Sequence, residues 1–176
     1  MLVDATAVAV WADRRLTMAE YVYNPVQRVQ PNQNVLLQSS IPCGKGYIYH
    51  REGSGILTLK GVVNNPSACF ARYQATFNGN IAIPSDGTAP APIAVALAIN
   101  GEPIQTSRAI VNPAAVATDP PTSENFENVT STAIITVPRG CCLTLSIEND
   151  SEGATATDPA PAILVQNANL VITRIA

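Results

Sequence analysis

Charge is what this sequence has least of. Asp, Glu, Lys and Arg together make up 13% of its 176 residues, about half of the roughly 25% usual in soluble globular proteins. Lysine is scarcest, present only as Lys45 and Lys60. Interfaces between subunits deplete lysine in the same way, so faces nearly without it fit a protein covered by copies or partners. A self-sufficient β-protein with an uncharged skin of Ser, Thr, Asn and Gln has the same composition. A net charge of −3 leaves no basic stripe to follow a phosphate backbone, so nucleic acid is not an expected partner.

Other absences exclude further chemistry. No run of 18 apolar residues exists to cross a membrane as a helix. Met1 to Trp11 is apolar but carries Asp4 where a secretion signal carries positive charge, with Arg14 and Arg15 following the apolar part. It is not expected to be such a signal. No CxxC occurs, and the adjacent Cys141 and Cys142 would point to opposite faces of a strand. With His50 as the single histidine, a zinc site lacks partners. The cysteines, which include Cys43 and Cys69, are expected to be buried free thiols, because Cys packs as a small hydrophobe. A Cys43 to Cys69 disulfide is the alternative. Glycine-rich phosphate loops are absent. Glu148 to Gly153 lacks EF-hand spacing and reads as a solvated turn. Asn128-Val129-Thr130 matches a glycosylation sequon, a pattern short enough to arise by chance.

Catalysis finds little support. A Ser-His-Asp arrangement would need His50, in Tyr49-His50-Arg51-Glu52-Gly53-Ser54-Gly55. Gly53-Ser54-Gly55 reads as a turn into the next strand, with no strand-to-helix elbow to expose Ser54. His50 and Glu52 share a face if the strand continues, which suits pairing along the strand or at a subunit contact. Glu124, Glu127, Glu148 and Glu152 lie near loops without an aromatic platform for a sugar, since aromatics make up 5% of the chain. The expectation is no enzyme, no metal and no cofactor.

What is there is β-sheet. Residues 1–25 stand apart as an arm or anchor. They hold the only Trp and both Met residues, and Leu16, Ala19 and Val22 or Tyr23 in ADRRLTMAEYVY fall on one side of a helix ended by Asn24-Pro25. From residue 26 to 176 short β-rich runs alternate with turn residues: VLLQSS, GYIYHRE, ILTLKGVV, ACFARYQATFNGNIAI, IAVALAING, IQTSRAIVN, ENVTSTAIITV, CLTLSIEN and ILVQNANLVITRI. About nine strands is a sandwich count. Asn100-Gly101 suits a type I′ hairpin. Leu57 and Leu59 alternate with Ile56, Thr58 and Lys60, and Leu143, Leu145 and Ile147 with Thr144, Ser146 and Glu148. Such strands have one dry and one wet face, as in antiparallel sheets. IAVALAI is apolar on both faces. It is either central in the sandwich or covered by another subunit, which makes Val95 and Leu97, with His50 and Glu52, candidate subunit contacts. No helical period recurs outside the arm, which excludes a parallel α/β fold.

The stretches Gln33-Asn34-Val35-Leu36, His50 to Gly61 (HREGSGILTLKG), Val137-Pro138-Arg139-Gly140-Cys141-Cys142 and Val165 to Ile172 (VQNANLVI) resemble a family of small proteins encoded in phages and prophages of anaerobic gut bacteria. That family looks like bacterial members of the C1q and tumour-necrosis-factor (TNF) superfamily, ten-stranded jelly rolls packed as tight homotrimers. The aromatic residues lining the trimer axis in many members have no clear counterparts here. The resemblance implies an all-β jelly-roll sandwich and a structural virion role. The expectation is a homotrimeric decoration protein, made in the bacterial cytoplasm and sitting on the capsid surface. Its arm would contact the major capsid protein through Trp11, Arg14, Arg15, Leu16, Tyr21 and Tyr23. The alternative is a fibre head binding a host-surface glycan through the long loops 84–92, 115–125 and 149–161.

Overall fold

Inward alternation and turn chemistry together produce two facing antiparallel sheets. The structure, a computed structural model, describes residues 17–41, 46–63, 65–85, 91–112, 125–153 and 157–176. Its strands are β1 (Met18–Tyr23), β2 (Gln27–Val29), β3 (Gln38–Ile41), β4 (Ile48–His50), β5 (Leu57–Lys60), β6 (Phe70–Ala82), β7 (Ile93–Ile99), β8 (Glu102–Pro103), β9 (Ala109–Val111), β10 (Glu127–Pro138), β11 (Cys142–Asn149) and β12 (Ile163–Arg174). One sheet has the order β10-β6-β12-β1-β3, with β2 also on β12. The other has the order β4-β5-β11-β7-β8, with β9 also on β7. Among the described residues the only helix is a single 3-10 turn, Gln105–Ser107. This is the all-β sandwich expected from the runs, of the jelly-roll type that the resemblance implied.

The core lies between the sheets and follows the period of two. Ala71, Tyr73, Ala75 and Phe77 of β6 and Ile135 and Val137 of β10 face Leu57 and Leu59 of β5, Leu145 and Ile147 of β11, and Ile93, Val95 and Leu97 of β7 in one buried cluster. Each fully buried Leu, Ile or Phe contributes about 1.5–3 kcal/mol relative to exposure. The Tyr73 hydroxyl reaches across and donates to the carbonyl of Lys60 in the opposite sheet, so the largest polar group on this inner face is satisfied where it is buried.

The Asn100-Gly101 turn forms as read. Asn100 has φ 54° and Gly101 φ 80°, the left-handed pair of a type I′ turn, and Ile99 pairs with Glu102. The Asn100 side-chain oxygen accepts from the Thr144 amide at 3.0 Å, tying the hairpin to β11.

Several readings are corrected. Met18–Tyr23 is strand, not helix: it lies between β12 and β3. Ala19 and Tyr21 are buried, while Met18, Glu20 and Val22 are turned outward, a period of two that competes with the helical spacing of the same residues. The sandwich therefore starts inside the expected arm. β7 lies between β11 and the short edge strands β8 and β9, and both its faces are buried within the single chain: Val95 and Leu97 are in the core, and Ala94, Ala96 and Ala98 are covered on the reverse face. Val95 and Leu97 are thus not subunit contacts. Cys69, Cys141 and Cys142 are free but exposed. They sit in or beside the turns at one end of the sandwich, where no core is available to them. Cys43 lies outside the described residues.

Gly61 ends β5 with its amide bonded to the Cys141 carbonyl at 2.9 Å, and an added Cβ would collide with the Pro138 carbonyl oxygen. Backbone cannot yield as a side-chain tip can. Gly61→Ala is expected to lower the unfolding free energy by about 1–3 kcal/mol, read as a reduced denaturant midpoint at unchanged slope.

Candidate functional site

Three rows across the outer face of β10, β6, β12 and β1 are built almost entirely from uncharged side chains, with Arg72 of β6 one row beyond them. Register sets them in rows: Thr130, Asn78, Asn169 and Val22; then Thr132, Thr76, Val171 and Glu20; then Ile134, Gln74, Thr173 and Met18. Neighbours bond one another across strands. Asn78 Nδ2 donates to Thr130 Oγ1 at 2.8 Å and to Asn128 Oδ1 at 3.2 Å, and Asn128 Nδ2 donates to Asn80 Oδ1 at 3.0 Å. Thr132 Oγ1 lies 3.2 Å from Thr76 Oγ1. Glu20 is the single charge in these rows, and it accepts from Asn169 Nδ2 at 2.6 Å. Ile134 and Met18 project from the face, 57% and 49% exposed.

Such a face is cheap to dry. Neutral groups already bonded to each other lose less on leaving water than charges do, and an exposed Ile gains from being covered. The sequence carried this signal in β10, where Asn128, Thr130, Thr132, Ile134 and Thr136 recur with a period of two. That strand was legible, but which neighbours would complete its face was not.

His50 ends β4. Its Nε2 lies 2.8 Å from the Ser54 carbonyl oxygen, and its ring stands 5.0 Å from that of Tyr21 across the sandwich. The Ser54 hydroxyl is not presented to His50: it donates to the Arg51 carbonyl at 2.7 Å. Glu52 lies exposed in the turn beyond the strand, so it does not share a strand face with His50. The cluster that resembled a catalytic group is a hydrogen-bonded turn packed on Tyr21.

The acidic stretch that begins at the end of β11 is likewise internal in part, not a solvated turn. Glu148 is buried and accepts from Ser146 Oγ at 2.8 Å. Asn149 is fully buried and donates to the carbonyls of Val29 and Pro161, each at 3.0 Å. Asp150 Oδ2 lies 3.1 Å from Arg108 Nε, near enough for ion pairing but not aligned as a hydrogen bond, and Glu152 lies 2.7 Å from Arg108 Nη1. Arg108 thus lies between the two acids and offsets one of their two charges. Among the described residues no group of three or more His, Cys, Asp or Glu is placed to hold a metal ion.

Of the residues assigned to a capsid-binding arm, Trp11, Arg14, Arg15 and Leu16 lie outside the described residues. Tyr21 is in the core, 1% exposed, and Tyr23 packs against it. Tyr21 is therefore unavailable to a partner.

Two facing sheets with this strand order define a C1q/TNF-like jelly roll. The globular domain of zebrafish complement 1qA protein has the same fold at 14% identity, over 92% of this chain and 98% of that chain, with a TM-score of 0.54. Murine APRIL at pH 8.0 aligns at 13% identity over 90% of this chain and 99% of that one, with a TM-score of 0.50. At such identity the likeness establishes fold alone. No protein-family model and no curated protein matches the chain.

His50→Ala removes both the Ser54 bond and the Tyr21 contact. A loss of about 1–2 kcal/mol in unfolding free energy is expected, measured by urea titration.

Proposed function

We propose that this chain is a non-enzymatic structural protein that associates as a homotrimer through the outer face of β10, β6, β12 and β1, and that the trimers decorate a bacteriophage capsid. The observation that carries the assembly is the neutrality of that face: three rows of Thr, Asn, Gln and aliphatic side chains holding the single charge of Glu20. Association through it covers Ile134, Met18 and Val171 and brings in one charged group, Glu20, which already accepts a hydrogen bond from Asn169. It also suits a surface with so little lysine. The C1q/TNF-like fold supports a three-fold arrangement, which closes on itself and leaves no growing edge. The placement on a phage shell rests on the resemblance of the HREGSGILTLKG and VQNANLVI stretches to phage-encoded proteins.

Thr132 lies at the centre of the face, so Thr132→Lys places an unpaired charge where burial is required. Light scattering is expected to give three chain masses for the unaltered protein and one for the variant, with the β-sheet circular dichroism retained. A monomeric unaltered protein, or a trimeric variant, would overturn the interface.

Because β1 is integral to the sheet, the segment proposed to grip the shell shortens to residues 1–16. Removing those residues is expected to leave soluble trimers that no longer bind particles. Unchanged occupancy on the particles would contradict the capsid placement and leave the trimer standing.

A further inference from the structure

A pocket of about 710 Å³ opens at the end of the sandwich where β4 and β5 meet the start of β6 and the end of β12. Its chemistry differs from that of the neutral face. Tyr47, Tyr49 and Phe70 supply ring walls, and Lys60 and Arg174 supply charge. Lys60 Nζ sits 4.1 Å above the Tyr49 ring and the Arg174 guanidinium 4.1 Å above that of Tyr47. At the rim, Arg72 lies 4.8 Å over Phe70. No Asp or Glu lines the pocket, and among the described residues neither Lys60 nor Arg174 takes part in an ion pair. A chain of net charge −3 with only two lysines thus gathers two cations at one place with no Asp or Glu side chain against them, whereas Arg108 elsewhere is matched by two acids.

We infer that this pocket binds a carboxylate-bearing sugar of the hexuronic acid class. Arg174 Nε donates to the Ala176 carbonyl at 3.2 Å, which leaves the paired Nη edge of the guanidinium for the two oxygens of a carboxylate. Lys60 adds a point charge from the opposite wall. Phosphate sites are commonly built on helix N-termini or nests of backbone N–H groups, and no helix lines this pocket. Tyr49 and Phe70 are held 52% and 39% exposed, which offers ring surface to the C–H face of a pyranose. The volume is within the roughly 300–1,000 Å³ of ligand pockets, larger than a lone carboxylate requires. The site is distinct from the long loops expected to carry glycan recognition. It does not depend on the trimer interface.

Isothermal titration of the full chain with glucuronate, glucose and glucose 6-phosphate tests the assignment. Saturable glucuronate binding is expected, with glucose weaker by about tenfold or more because the charged hydrogen bonds are lost. Lys60→Ala and Tyr49→Ala, each confirmed as folded by its melting curve, are expected to weaken glucuronate by a similar factor. Arg174→Lys is expected not to retain the affinity, since an ammonium lacks the planar fork. No saturation by glucuronate, equal binding of glucose, tighter binding of glucose 6-phosphate, or unchanged affinity in folded Lys60→Ala would each overturn the inference.

Discussion

The fold turns on the seating of β12 between β6 and β1. Near its middle, Asn167 adopts φ 53° and the register to β6 shifts between Gln166 and Asn169. The bulge resets the alternation: Ile163 and Val165 face the core before it, and Ala168, Leu170 and Ile172 after it. Without the extra residue one half of the strand would turn its apolar side chains to solvent. Asparagine tolerates the left-handed region that the bulge requires, and the Asn167 amide is held by the Asn24 carbonyl at 3.3 Å. Because β12 pairs with β1 and β2 at the other end of the sequence, the sheet depends on long-range pairing, a feature associated with slow folding.

Two surfaces with opposite chemistry follow from this seating. After the bulge, Asn169, Val171 and Thr173 point outward and join the Thr and Asn side chains of β6 and β10, making a face whose polar groups satisfy each other. At the end of the same strand Arg174 departs toward Tyr47 and meets Lys60 and Tyr49 from the other sheet. One strand therefore contributes both to the neutral face proposed for self-association and to the cationic, ring-lined pocket. The first holds Glu20 as the single charge of its three rows, and the second gathers Lys60 and Arg174.

Much of the fold was legible because its signals are local. All nine β-rich runs contain strands, the alternation of Leu57 and Leu59 put them in the core, and Asn100-Gly101 carried its own turn geometry. Met18–Tyr23 was misread because its apolar residues satisfy both a helical and a strand spacing, and only its partners β12 and β3 select between them. Val95 and Leu97 were read as contacts for another subunit because a strand apolar on both faces does not say what covers the second face. The cysteines were expected inside because their small apolar side chains favour burial, but Cys69 and Cys141 sit at turns, where local geometry outweighs that preference.

The sequence by itself determined the β-character, the turns, the inward rows and the poverty of charge, since each depends on residues within a few positions of one another. Tertiary structure decided which rows lie side by side. Thr132 meets Thr76, and Thr76 meets Val171, only through pairings that join distant segments. Lys60, Phe70 and Arg174 share a pocket only because the ends of strands from two sheets converge. Side chains separated by more than a strand length carry no period that announces their meeting, and both proposed surfaces are made of such meetings.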